Sequence, residues 1–118
     1  MPINKDRLAN IHTRMPGNTS GTLSQMGANS ARGTAIRIGT MQRRPISVDD
    51  RAVAGIELSV EAATIRLYVN TFSQPVTMIR SQALIKEANG TQWIVATANL
   101  EMMDTVWVCQ CVRNYGEP

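Results

Sequence analysis

Few residues in this 118-residue chain have the types and spacing that do chemistry. His12 is the only histidine, and it stands in the stretch with the weakest folding signals. Cys109 and Cys111 lie one residue apart, so on a strand both side chains fall on the same face. A disulfide between them would close a small, strained ring. Two cysteines and one histidine fall short of the four ligands of a structural zinc site. Both cysteines therefore read as small buried hydrophobes kept reduced. Asp49-Asp50 is a neighbouring acid pair in a loop, incomplete as a metal site without further carboxylates. A cysteine nucleophile wants a base, and the second half of the chain has no histidine. No Walker A loop occurs, and the glycines do not form a dinucleotide fingerprint. The expectation is a protein that is not an enzyme and uses no metal or cofactor. What remains is Arg43-Arg44, a pair suited to phosphate or to a partner's carboxylates, without reading base sequence.

The elements that would position these arginines follow from composition. Residues 1–51 hold eight basic and three acidic side chains, net +5, whereas residues 52–118 hold four and six, net −2. A basic front half suits a nucleic acid, an acidic protein surface or a solvated tail. All five aromatics, Tyr68, Phe72, Trp93, Trp107 and Tyr115, follow residue 67, so the large core anchors belong to the second half. No run approaches the roughly 20 apolar residues that span a bilayer, and no signal-peptide-like run opens the chain. The expectation is a soluble protein made in the cytoplasm.

Residues 13–33 are rich in Gly, Ser, Thr and Asn, with only Met15, Leu23 and Met26 to bury. Too little apolar surface is present to offset chain ordering, so residues 1–33 read as an extended arm and 34–118 as the folded domain. Asn4 can cap a short helical turn that puts Leu8 and Ile11 on one face. Ile3, Leu8, Ile11 and Met15 are the candidate apolar anchors of the arm on a partner. On this reading, deleting residues 1–30 leaves the domain folded. Thr34–Gly39 alternates as a half-buried strand. Met41–Asp50, with Pro45 and two acids, reads as a long loop carrying Arg43 and Arg44. Ile56, Leu58 and Val60, then Ile65, Leu67 and Val69, alternate as two strands. Asn89-Gly90 predicts a type I′ hairpin, with Leu84 opposite Val95, Ile85 opposite Ile94, Lys86 opposite Trp93 and Glu87 opposite Gln92. Thr105–Arg113 is a last strand with Trp107, Cys109 and Cys111 on one face. Ile36, Leu58, Leu67, Ile85, Trp93, Ile94, Val106 and Trp107 are the expected core. About six short strands with turns between them make a mainly β domain, a small six-stranded antiparallel β-barrel or sandwich with an extended N-terminal arm and long loops.

The order of features in the last 80 residues resembles the head-completion (head–tail joining, or stopper) proteins of long-tailed bacteriophages, the group that includes the lambda head-completion protein. The resemblance rests on Gly55 ahead of a strand pair with Leu67-Tyr68-Val69, on Asn89-Gly90 followed by Trp93, and on the last apolar strand Trp107 to Arg113. Related proteins often place Gly-Asp before the hairpin strand, where this chain has Ser81-Gln82. The first 33 residues are not covered. The resemblance implies a small barrel in a six-fold or twelve-fold ring at the head–tail interface of a virion. The ring would sit between a portal or adaptor protein and a tail-terminator or tail-tube protein, retain packaged DNA, and catalyse nothing. Exposed strand edges would be covered by adjacent subunits, and Arg43 and Arg44 would be loop contacts to DNA or to a partner. Two other readings stand beside it: a nucleic-acid-binding barrel, with salt-sensitive affinity and accessible tryptophans, and a tail-terminator or tail-tube component.

Overall fold

Period-two alternation of apolar residues governs this chain, and the strands it makes close on themselves. A computed structural model describes residues 18–25 and 33–115. The strands are β1 (Asn18–Ser24), β2 (Ile36–Pro45), β3 (Ala62–Tyr68), β4 (Leu84–Glu87), β5 (Gln92–Glu101) and β6 (Val106–Asn114). They form a closed antiparallel barrel in the order β1-β2-β3-β6-β5-β4. A helix, α1 (Val48–Ala54), joins β2 to β3, and one 3₁₀ turn (Val69–Thr71) follows β3.

The expected strand count holds, but its membership changes. Asn18–Ser24, which composition assigns to the arm, is a barrel strand. It lies between β2 and β4, with Leu23 opposite Ile36 on one side and Ile85 on the other. Its sequence, NTSGTLS, has almost no strand propensity of its own. Two flanking ladders and full burial of Leu23 hold it in place. The arm boundary at residue 33 and the harmless deletion of residues 1–30 are both corrected by this strand. Ile3, Leu8, Ile11, Met15 and the helical turn at Asn4 lie outside the described residues. Closure also removes the freely exposed edges expected of an open sheet, because each strand has two neighbours.

The stretch 56–60 is no strand. Ser47 caps α1 by accepting the Asp50 N–H at 3.1 Å, and Gly55 ends it in the left-handed region at φ +74°. Arg51 then donates through Nη1 to the carbonyls of Glu57 (2.7 Å) and Val60 (2.8 Å), folding the segment into a turn. Ile56 is buried, but Leu58 is 74% exposed, so its place in the expected core is corrected. Ile36 and Ile94 are only partly buried. Leu67, Ile85, Trp93, Val106 and Trp107 are buried as expected, and Leu23, Ile38, Met41, Ile65, Val95, Cys109 and Cys111 join them.

Two bulges set which side chains enter the barrel. Gly21 pairs with Ile38 but Thr19 with Met41, so β2 carries one extra residue at Gly39-Thr40. The Thr71 hydroxyl holds this kink by accepting the Thr40 N–H at 3.1 Å. Inward positions on β2 therefore run Ile38, Met41, Arg43. Val95 pairs with Cys111 but Thr97 with Gln110, which adds a residue to β5 in the same way. The far end of the barrel is packed by Val69, Phe72, Val76 and Ile79 of the connection between β3 and β4.

The β4–β5 hairpin is slipped by one residue from the expected register. Leu84 faces Ile94, Ile85 faces Trp93, and Lys86 faces Gln92. The turn has three residues: Gly90 N–H donates to Glu87 O (2.9 Å), Glu87 N–H to Thr91 O (2.8 Å), and only Gly90 has positive φ (+92°). This is a type I turn with a glycine bulge, and the Asn89 side chain accepts the Thr91 N–H at 2.9 Å. The slip brings Ile85, Glu87, Trp93 and Val95 onto one face, where all four are buried. Burial of Ile85 with Trp93 outweighs the lysine–indole pairing of the two-residue turn.

Candidate interface at the barrel mouth

Four inward residues meet where β2, β4, β5 and β6 reach the same end of the barrel: Arg43, Glu87, Trp93 and Arg113. Arg43 does not lie in a loop, as the sequence suggested, but near the end of β2, paired with Ile65. Its Nη1 lies 3.1 Å from Glu87 Oε2, and the Trp93 Nε1–H donates to the same oxygen at 3.4 Å. Glu87 is 4% exposed, and its two donors compensate for its burial. The guanidinium carbons of Arg43 and Arg113 stand 5.5 and 5.7 Å from the Trp93 ring centroid, within cation–π range.

Arg113 extends the inward row of Trp107, Cys109 and Cys111. Its backbone N–H donates to Glu61 O at 2.8 Å, and its Nη1 approaches Glu61 Oε1 at 3.5 Å. Tyr115 stacks on its guanidinium at 4.9 Å and donates its hydroxyl to Glu61 Oε2. Donation to a carboxylate keeps the proton on Tyr115, so its pKa is raised. Arg44 points to the outer face, where its Nε donates to Gln42 Oε1 at 3.1 Å. Alternation along β2 puts the two arginines on opposite faces, and the bulge at Gly39-Thr40 decides that Arg43 enters the mouth and Arg44 its rim.

Arg43, Arg44, Glu61, Trp93 and Arg113, with Pro45, Ala62, Ala63 and Thr91, line an open cleft of about 490 Å³. Three arginines and one carboxylate, Glu61, line it, with Glu87 paired to Arg43 behind the wall, so the cleft is net positive. It suits an anionic group or an acidic peptide, through bidentate guanidinium contacts at its rim. Sequence reasoning found Arg43 and Arg44 but missed Glu61, Glu87, Arg113 and Tyr115. Arg113 was legible as the next inward position after Cys111. Glu87 shares the face of Ile85 by alternation, but the expected register set it opposite Gln92 and put Trp93 on the other face with Lys86, so their meeting was not legible.

The cysteines take no part. Both are free and buried on the inward face of β6. Burial pushes the Cys109 thiol up to about 12, and burial, then the neighbouring Cys109, raises Cys111 well above the ordinary thiol value. Asp49 and Asp50 lie exposed in the first turn of α1, complementing the helix dipole. Among the described residues, no three His, Cys, Asp or Glu side chains gather as metal ligands. No helix among them is long and apolar enough to cross a membrane. Comparison with known protein families, characterised proteins and solved structures finds no match to this chain.

Proposed function

We propose that this chain is a structural head–tail connector of the stopper type. It forms a ring between the portal or adaptor and the tail, closes the DNA-filled head and presents a docking face to the tail. The observation that carries this reading is how much apolar surface the barrel leaves uncovered. Helix α1 is capped at both ends yet buries none of its residues; Val48 is 68% and Val53 86% exposed, beside Leu58. Leu100, Met102 and Met103 project at the β5–β6 turn. Apolar groups held in defined backbone geometry and left in water suit protein partners. The order of features shared with head-completion proteins supplies the identity of those partners.

The arginine mouth favours a second reading, a nucleic-acid-binding barrel. Against it, Trp93 and Trp107 are buried at 2% and 7% exposure, so neither indole offers a face for a base to stack on. A tail-terminator or tail-tube role remains a variant of the first reading with different neighbours. The test is capture of tagged protein from a lysate of its source. Recovery of portal, adaptor or tail proteins supports the connector. Recovery of nucleic acid alone, lost as salt rises, overturns it in favour of the binding module.

A further inference from the structure

The two ends of the β5–β6 hairpin carry opposite chemistry. At one end Trp93 pairs with Arg113 beneath the arginine cleft; at the other Leu100 pairs with Trp107 and Glu101 with Val106. The connecting turn, Met102-Met103-Asp104, has three consecutive non-glycine residues at positive φ, +53°, +58° and +63°. Thr105 holds it, donating its N–H to Glu101 O at 3.2 Å and its hydroxyl to Met102 O at 2.5 Å. The result is a fixed tip with two half-exposed methionines between two acids, Glu101 and Asp104. Neither carboxylate has a hydrogen bond or ion pair among the described residues.

We propose that the acidic, methionine-bearing tip of one copy docks into the arginine-rimmed mouth of a second copy. Charge selects this occupant: two carboxylates unpaired among the described residues meet a cleft lined by three arginines and one carboxylate. Among the described residues Arg44 uses only its Nε, on Gln42, which leaves the outer edge of its guanidinium for a carboxylate. Met102 and Met103 meet the apolar wall of Pro45 and Ala62 and the exposed ring beside it, Tyr115, which is 76% exposed. A copy cannot satisfy itself, because along the extended strand Trp93 and Glu101 stand roughly 25 Å apart. Each copy presents both faces at opposite ends, so the contact is head to tail, and its rotation decides whether it closes into a ring. This inference rests on the self-associating part of the connector reading and names the faces that reading leaves open.

Pairwise cross-linking tests it, since the buried native thiols stay silent. Met103→Cys mixed with Pro45→Cys should form a disulfide at least about tenfold faster than Met103→Cys mixed with Val53→Cys, and high salt should slow it. Adding Arg44→Glu to the Pro45→Cys copy should lose that advantage, and Asp104→Arg in its partner should restore it. Each variant is first shown to melt like the unmodified protein. Equal rates at Pro45 and Val53, or no cross-link at any protein concentration, overturn the proposal. Preference for Val53 also overturns it while leaving a ring built on another face. Oligonucleotide binding that Arg44→Glu abolishes, without cross-linking, assigns the cleft to nucleic acid instead. A tip-to-mouth cross-link in a protein that captures no portal, adaptor or tail protein keeps this contact and sinks the connector reading.

Discussion

Gly21→Ala tests the seam that closes the barrel. A Cβ built on Gly21 stands 2.3 Å from the Lys86 carbonyl oxygen and 2.7 Å from Met41 Cε. The methionine end can swing away, but the carbonyl belongs to β4, the strand hydrogen-bonded to β1. Reaching the 3.4 Å of ordinary contact needs about 1 Å of separation between the two strands. That displacement lengthens ladder bonds past their useful range. Overpacking of this kind costs about 1–3 kcal/mol, and one or two lost ladder bonds add about 1 kcal/mol each. The reduced freedom of the unfolded chain returns about 0.4–1 kcal/mol. The net expectation is a loss of about 2–3 kcal/mol and a thermal midpoint lower by roughly 10–15 °C. Tryptophan fluorescence through a thermal or urea transition reads the loss. Hydrogen exchange reads its location, because the Ala88 N–H that donates to Ser20 O at 2.8 Å should lose protection first. Gly90→Ala is the comparison: φ is +92° but nothing lies within 4 Å, so that cost is conformational and local to the turn. A Gly21→Ala protein as stable as the parent, with Ala88 still protected, would refute β1 as the closing strand.

Three further outcomes follow from the same packing. Deleting residues 1–30 removes β1 and the buried Leu23, so the cooperative transition should disappear. Deleting residues 1–17 leaves every described strand and should keep it, as circular dichroism melts would show. Glu87→Ala orphans the buried Trp93 Nε1–H and should cost about 1–3 kcal/mol by urea denaturation, whereas Glu87→Gln retains an acceptor and should cost less; equal costs would mean that the bond contributes nothing. Cys109 and Cys111 should resist a thiol reagent at pH 8 and react once denatured. Their pKa values are raised by folding, so above about pH 9 the unfolded chain releases protons that the folded chain retains. Stability should therefore fall as pH rises from about 9 toward 12, and a parent no more alkali-sensitive than a Cys109→Ala/Cys111→Ala variant would contradict that account.

The closed barrel places its chemistry at its ends. Along the interior the inward rows are apolar: Ile65 and Leu67 on β3, Trp107, Cys109 and Cys111 on β6, Ile85 on β4. At the mouth the buried Glu87 carboxylate is met by Arg43 and by the Trp93 Nε1–H, whereas the buried Arg113 Nε and Trp107 Nε1 have no hydrogen-bond partner among the described residues. Arg43 is partly exposed in this position, so its ion pair with Glu87 contributes less than a fully desolvated pair. Its larger effect is to fix the guanidinium over Trp93, which pre-orients the cleft wall.

The local pattern alone determined a good part of this molecule. Alternation in ATIRLY and VWVCQC was enough to make β3 and β6 strands with Ile65, Leu67, Trp107, Cys109 and Cys111 on inward faces, because period two is a property of the backbone itself. The same pattern placed a hairpin around Asn89-Gly90, and it fixed the mainly β class. It also held a signal that went unused: Ser47 three residues before Asp50, with Gly55 beyond, frames a short helix by capping. Tertiary structure decided the rest, for β1 and for the arginine of the mouth through a partner far along the chain. Asn18–Ser24 becomes a strand because β2 and β4 offer unpaired ladders on both sides, a gain that NTSGTLS does not encode. The hairpin register moves by one residue because burying Trp93 and Val95 with Ile85 favours a three-residue turn over the two-residue one. Leu58 alternates like a strand residue but is lifted out of the core by Arg51 bonding the carbonyls on either side of it. Which arginine enters the mouth depends on one extra residue at Gly39-Thr40, held by a hydroxyl 31 residues away on Thr71. Non-local contacts of that kind set parity and closure, and no window of neighbouring residues contains them.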